Sequence, residues 1–111
     1  LSVDVLRDRG ARLYRISGNE VQNVYNLKIN NMDRNSHTYA LKVEGDFPFK
    51  VRNYRPFEVL EGEVFTIPLR ISVDKDLLNT EKTQITIYIE STTDASINAT
   101  EATNFIGPTV K

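Results

Sequence analysis

Along this 111-residue chain, apolar and polar residues alternate with a period of two over several stretches, the pattern of strands that bury one face and wet the other. The clearest is Val21–Asn31, where Val21, Tyr25, Leu27 and Ile29 share a phase and Gln22, Asn26, Lys28 and Asn30 lie between them. Asn23 stands on the apolar phase and reads as a buried or edge amide with a bonding role. Before it, Val3 and Val5 mark a first edge strand within Leu1–Arg7, ending at the polar turn Asp8, Arg9, Gly10. A short segment from Leu13 to Ile16 follows and closes at Ser17-Gly18-Asn19. After it, Asn31–Ser36 is rich in side chains that bond their own backbone. This predicts a hairpin pairing Val21–Asn31 with the next alternating run, His37, Tyr39, Leu41 and Val43.

Gly45-Asp46 ends that run. Phe49 with Val51, and Phe57 with Val59, read as short strands on either side of a break at Tyr54-Arg55-Pro56, and Glu61-Gly62 makes the next turn. Val64–Val73 is long and regular, with Phe65, Ile67, Leu69, Ile71 and Val73 inward. Pro68, on the other phase, lacks an amide donor and marks an edge or bulge bordering solvent. Lys75–Thr83 is too short for a packed helix and reads as a loop. Ile85, Ile87 and Ile89 define a last strong strand with Thr86, Tyr88 and Glu90 outward. Ser91–Thr103 is rich in Ser, Thr, Ala and Asn, so 92–104 is expected to be loosely ordered, with Phe105-Ile106-Gly107-Pro108 redocking at its end.

About seven to eight short strands with turns between them and no helix of useful length predict an all-β, immunoglobulin-like sandwich of two antiparallel sheets, a single domain over 1–111. A small closed barrel is the structural alternative. The chain is long enough to bury a core without staples. Fourteen basic against fifteen acidic residues give a net charge of −1, which provides no long-range field for nucleic acid. The absence of cysteine removes disulfides, thiolate metal sites and cysteine nucleophiles from these residues. The chain opens on Leu1 and not on Met, as expected either of a chain whose leader was removed or of a piece excised from a longer protein.

Candidate chemistry is sparse. Met32 and His37, the only residues of their types, offer a thioether and an imidazole, which suit copper, though adequate metal sites need three or four ligands. His37 near Asp33 and Ser36 does not make a triad by sequence alone, and no catalytic residues are assigned. The acidic groups Glu58, Glu61, Glu63 and Asp74, Asp76 lack the ligand series of a calcium loop and read as solvated turns. Arg7, Arg9, Arg12 and Arg15 form one basic cluster, and Lys50, Arg52 and Arg55 a second. They read as charged edges, able to bind phosphate or lipid head groups only if the sheet unites them. Asn98-Ala99-Thr100 matches the glycosylation acceptor pattern.

The segments Val5-Leu6-Arg7-Asp8-Arg9, Leu13-Tyr14-Arg15 and Val21–Asn31, with Tyr39-Ala40-Leu41-Lys42-Val43-Glu44-Gly45 and Phe105-Ile106-Gly107-Pro108, resemble the C-terminal domain of FixG-type proteins, also called CcoG. The likeness spans most of the chain and is weakest over Phe49–Thr83. It implies an immunoglobulin-like domain following the last membrane helix of a bacterial inner-membrane iron-sulfur protein. That parent would be involved in assembling cbb-type cytochrome oxidases and delivering copper.

On this resemblance the domain is non-catalytic and periplasmic, and meets protein partners such as oxidase assembly factors or subunits. It carries no cofactor of its own; the iron-sulfur clusters belong to the region upstream. Two other readings are carried beside it: a copper-handling domain using Met32 and His37, and a small-ligand-binding β-sandwich.

Overall fold

Each apolar residue on the inward phase of Glu20–Asn30 (β3) is fully buried, and Asn23 on the same phase is 1% exposed. This strand is the spine of the first sheet. The structure, a computed structural model, describes residues 1–7, 14–52 and 55–108. The expected turn at Asp8-Arg9-Gly10, the start of the second segment at Leu13, and Tyr54 in the break lie outside the described residues.

The other strands are β1 (Ser2–Arg7), β2 (Arg15–Ser17), β4 (His37–Gly45), β5 (Lys50–Arg52), β6 (Phe57–Val59), β7 (Val64–Asp74), β8 (Lys82–Ser91) and β9 (Asn98–Ile106). The first sheet runs β1-β3-β7-β5, with β2 also paired to β3; the second runs β6-β4-β8-β9, and every pairing is antiparallel. Two sheets face one another, so the sandwich expectation holds and the closed barrel falls away. Leu27, Ile29, Ile71 and Val73 from one sheet and Tyr39, Ile85, Ile87 and Phe105 from the other fill the space between.

The predicted β3–β4 hairpin is corrected: the two strands belong to different sheets, and their connection crosses the end of the sandwich. Asn31 makes that crossing possible. Its carboxamide N–H groups donate to the carbonyls of Asn35 (2.9 Å), Val59 (3.0 Å) and Leu60 (3.2 Å), and its Oδ1 accepts from the Asp33 N–H at 3.0 Å. One side chain thus satisfies backbone groups of the β3–β4 connection and of the end of β6.

The loose crossing over 92–104 is also corrected. From Asn98 onward the chain forms β9, in continuous register with β8 from Glu90↔Asn98 to Lys82↔Ile106. Its inward face carries Ala99, Glu101 and Thr103 before Phe105. The strand therefore depends on its backbone ladder more than on apolar area, and alternation could not reveal it. Within the predicted loop, a short 3-10 turn (Lys75–Leu77) capped by Asp74 leads to buried Leu78, and β8 begins at Lys82. Pro68 is exposed as expected, because β5 covers β7 only at Arg70–Ser72.

Candidate functional site

Several buried polar residues occupy inward strand phases, and three of them, Asn31, His37 and Ser91, gather at one end of the sandwich. Asn31 extends the inward phase of β3, His37 opens that of β4, and Ser91 closes that of β8. The pairs His37↔Val59 and Tyr39↔Ser91 bring the ends of β4, β6 and β8 together.

Around His37 the end cluster takes the order Asp–His–Ser. The ring Nε2 lies 2.5 Å from Asp33 Oδ2, and Nδ1 lies 3.1 Å from Ser91 Oγ. Ser91 Oγ also accepts from the backbone N–H groups of Thr93 (3.4 Å) and Asp94 (3.3 Å) and lies 3.3 Å from Thr93 Oγ1, so its own proton can go to Nδ1 or to that hydroxyl. The pattern fits the Nε2–H tautomer. The hydrogen bond from His37, aided by the Arg34 N–H, holds the Asp33 carboxyl below its ordinary value of 3.8.

A hydrolase uses the same three residue types, but with the ring reversed: there Nε2 serves the serine and Nδ1 the carboxylate. Ser91 is 3% exposed, and its oxygen is tied to the following turn. What this arrangement does is brace: it fastens the β3–β4 crossing, the start of β4 and the β8–β9 turn to one imidazole. The partner of His37 is thus Ser91, 54 positions away, and not the neighbouring Ser36. The signal in the sequence was a serine on the inward phase after Ile85, Ile87 and Ile89.

Met32 is 63% exposed, whereas both ring nitrogens of buried His37 are engaged by Asp33 and Ser91. Ligation through either nitrogen requires breaking a hydrogen bond. Among the described residues no group of three or more His, Asp or Glu could hold a metal ion. With no cysteine in the sequence, a thiolate-held iron-sulfur cluster finds no ligands on this chain.

Of the acidic groups, Glu63 and Asp74 hold turns, whereas Glu58 lies within β6. Asp74 Oδ1 accepts from Asn19 Nδ2 (2.7 Å) and the Asp76 N–H (3.0 Å), and Glu63 Oε1 accepts from the Leu60 N–H. Asn98 of the acceptor pattern is exposed on β9, its carboxamide donating to the Ala95 carbonyl.

The two basic clusters meet in part. Arg15 on β2 and Arg52 on β5 line one open basin of about 320 Å³ on the outer face of the first sheet. They share it with Arg70, which belonged to neither cluster. Glu20 accepts from Arg52 Nη2 at 2.5 and 2.6 Å and lies 3.8 Å from Lys50 Nζ. Arg9 and Arg12 lie outside the described residues, as does the side chain of Arg7.

The facing antiparallel sheets and cross-sheet strand order define an immunoglobulin-like β-sandwich domain. The chain belongs to the FixG C-terminal family: residues 1–108 match the family described as "IG-like fold at C-terminal of FixG, putative oxidoreductase". It is similar to a crystal structure of a FixG-related protein from Vibrio parahaemolyticus. The two share 29% identity, covering 95% of this chain and 94% of that one, at a TM-score of 0.81. A crystal structure of a protein from Archaeoglobus fulgidus matches at 15% identity and a TM-score of 0.49, covering 99% of this chain and 98% of that one. No curated protein matches the chain. No helix among the described residues is long and apolar enough to cross a membrane.

Proposed function

We propose that this sandwich is a non-catalytic contact domain of a FixG-like, membrane-embedded iron-sulfur protein, working through its surface during cbb-type oxidase assembly and copper delivery. The observation that carries the reading is the family match over residues 1–108, which takes in the whole sandwich from β1 to the end of β9. The family's place at the C-terminus of FixG supports assigning the redox chemistry to the remainder of the parent. The end cluster supports the same reading, since its buried serine and doubly engaged histidine serve the fold. On this proposal the domain stands on the periplasmic side and meets assembly factors or oxidase subunits.

The test pairs two measurements: equilibrium binding of this chain to isolated oxidase subunits and copper carriers, and complementation by a parent lacking the domain. Binding to at least one partner, with defective oxidase assembly by the truncated parent, is expected. Full complementation together with no binding would sink the proposal.

A further inference from the structure

The outer face of the first sheet concentrates positive charge in a chain whose net charge is −1. In register, Arg15 lies across from Gln22, Gln22 from Ser72, and Ser72 from Lys50. One row further on, Arg52 stands directly opposite Arg70. Like charges directly opposed on neighbouring strands are destabilising; Glu20 offsets that of Arg52.

Among the described residues Glu20 is the one carboxylate lining the basin, and it is committed to Arg52 and Lys50. Asp74, across from Glu20, is turned to the Asn19 carboxamide and the Asp76 N–H. Among the described residues Arg15 and Arg70 make no ion pair. Two guanidinium forks therefore face an open polar basin floored by Gln22 and Ser72, with no carboxylate to fill them.

We infer that this basin binds carboxylate side chains of an acidic segment on a protein partner, with Arg15 and Arg70 as the receiving groups. The inference rests on the contact-domain reading and gives it a surface. The Glu20–Arg52 pair shows the mode of recognition: both carboxylate oxygens accept from Arg52 Nη2, at 2.5 and 2.6 Å. Arg15 on β2 and Arg70 on β7 are separated by β3, a spacing that suits carboxylates carried at intervals along one extended segment. The sheet face is open and shallow, which suits a segment lying along the strands.

The test measures anisotropy of a fluorescein-labelled oligoglutamate peptide with the 111-residue chain, across a series of salt concentrations. Salt-sensitive binding is expected, weakened about tenfold by the double substitution Arg15→Gln with Arg70→Gln, the combined loss of two exposed charge pairs. The control Lys42→Gln with Lys82→Gln removes the same charge from the second sheet and should leave binding unchanged. Matched melting curves by circular dichroism establish that each variant is folded.

No peptide binding, or equal weakening by both doubles, overturns the inference. So does binding to phosphatidylglycerol vesicles without binding to the peptide, which would make the basin a lipid site. Displacement of the peptide by inorganic phosphate at lower concentration than acetate would assign it to phosphate instead. Any of these results leaves open contact through another face, whereas full complementation by the truncated parent removes the contact-domain reading itself.

Discussion

The carboxamide of Asn23 and the peptide group at Ile106 exchange two hydrogen bonds of 2.8 Å each. Asn23 Nδ2 donates to the Ile106 carbonyl, and the Ile106 N–H donates to Asn23 Oδ1. Tyr25 adds to the link, its hydroxyl donating to the Asn104 carbonyl (2.7 Å) and lying 3.2 Å from Asn23 Oδ1. A side chain on a strand of the first sheet thus supplies an edge strand of the second with the partner that another backbone would have given. The sandwich is closed along one side by an amide.

Replacing Asn23 with Ala or Leu leaves both polar groups of Ile106 facing a buried site, and should cost about 2–4 kcal/mol of unfolding free energy. Urea denaturation measures the loss, and faster amide exchange at Ile106 localises it. A change under about 0.5 kcal/mol would show that water takes over both bonds.

If β9 is a true ladder strand, backbone amides of Asn98–Ile106 that pair with β8 should exchange far more slowly than those of the Thr92–Ser96 turn. Phe105 is fully buried and lies 5.1 Å, ring centroid to centroid, from Phe49. Truncation of Phe105 to Ala should cost about 3–5 kcal/mol, measurable by the same urea titration.

Asp33 gives the domain a sensitivity to acid. Its carboxyl titrates below the ordinary value of 3.8 when folded, chiefly through the hydrogen bond to His37. A depressed folded value stabilises the native state above the unfolded value, and that contribution disappears as pH falls through the folded one. Wild type should therefore lose stability more steeply below about pH 4 than Asp33→Asn, as followed by melting temperature against pH. Parallel curves for the two proteins would remove the assigned cause.

The His37 cluster should behave as a brace. His37→Ala is expected to lower stability by about 1–3 kcal/mol, the cost of losing the ring's bonds to Asp33 and Ser91. Copper(I) affinity, read by competition with a chromophoric chelator, should stay unchanged when Met32 and His37 are both replaced. A fluorophosphonate probe should leave Ser91 unlabelled; labelling that depends on His37 would instead identify an active nucleophile.

The sequence made the long strands legible because β3, β7 and β8 each bury one face over many residues, and burial imposes a period of two wherever it occurs. It also marked Asn23 as a bonding amide, since a polar residue on an inward phase has to be satisfied. Which strands pair was less legible. The apolar phases of β3 and β4 look alike whether the two strands share a sheet or face one another across the core. The deciding bonds come from Val59 and Leu60, 28 and 29 positions beyond Asn31.

By itself the sequence determined the all-β class, the inward residues, the absence of thiolate chemistry and, through its ordered motifs, the FixG likeness; these depend on residue type and local spacing. The tertiary structure decided the rest. It chose Ser91 over Ser36 as the partner of His37, made β9 a strand on its ladder, and drew Arg15, Arg52 and Arg70 into one basin. Each outcome depends on strand register across the fold, and register is set by the packing of whole sheets, not by any single segment.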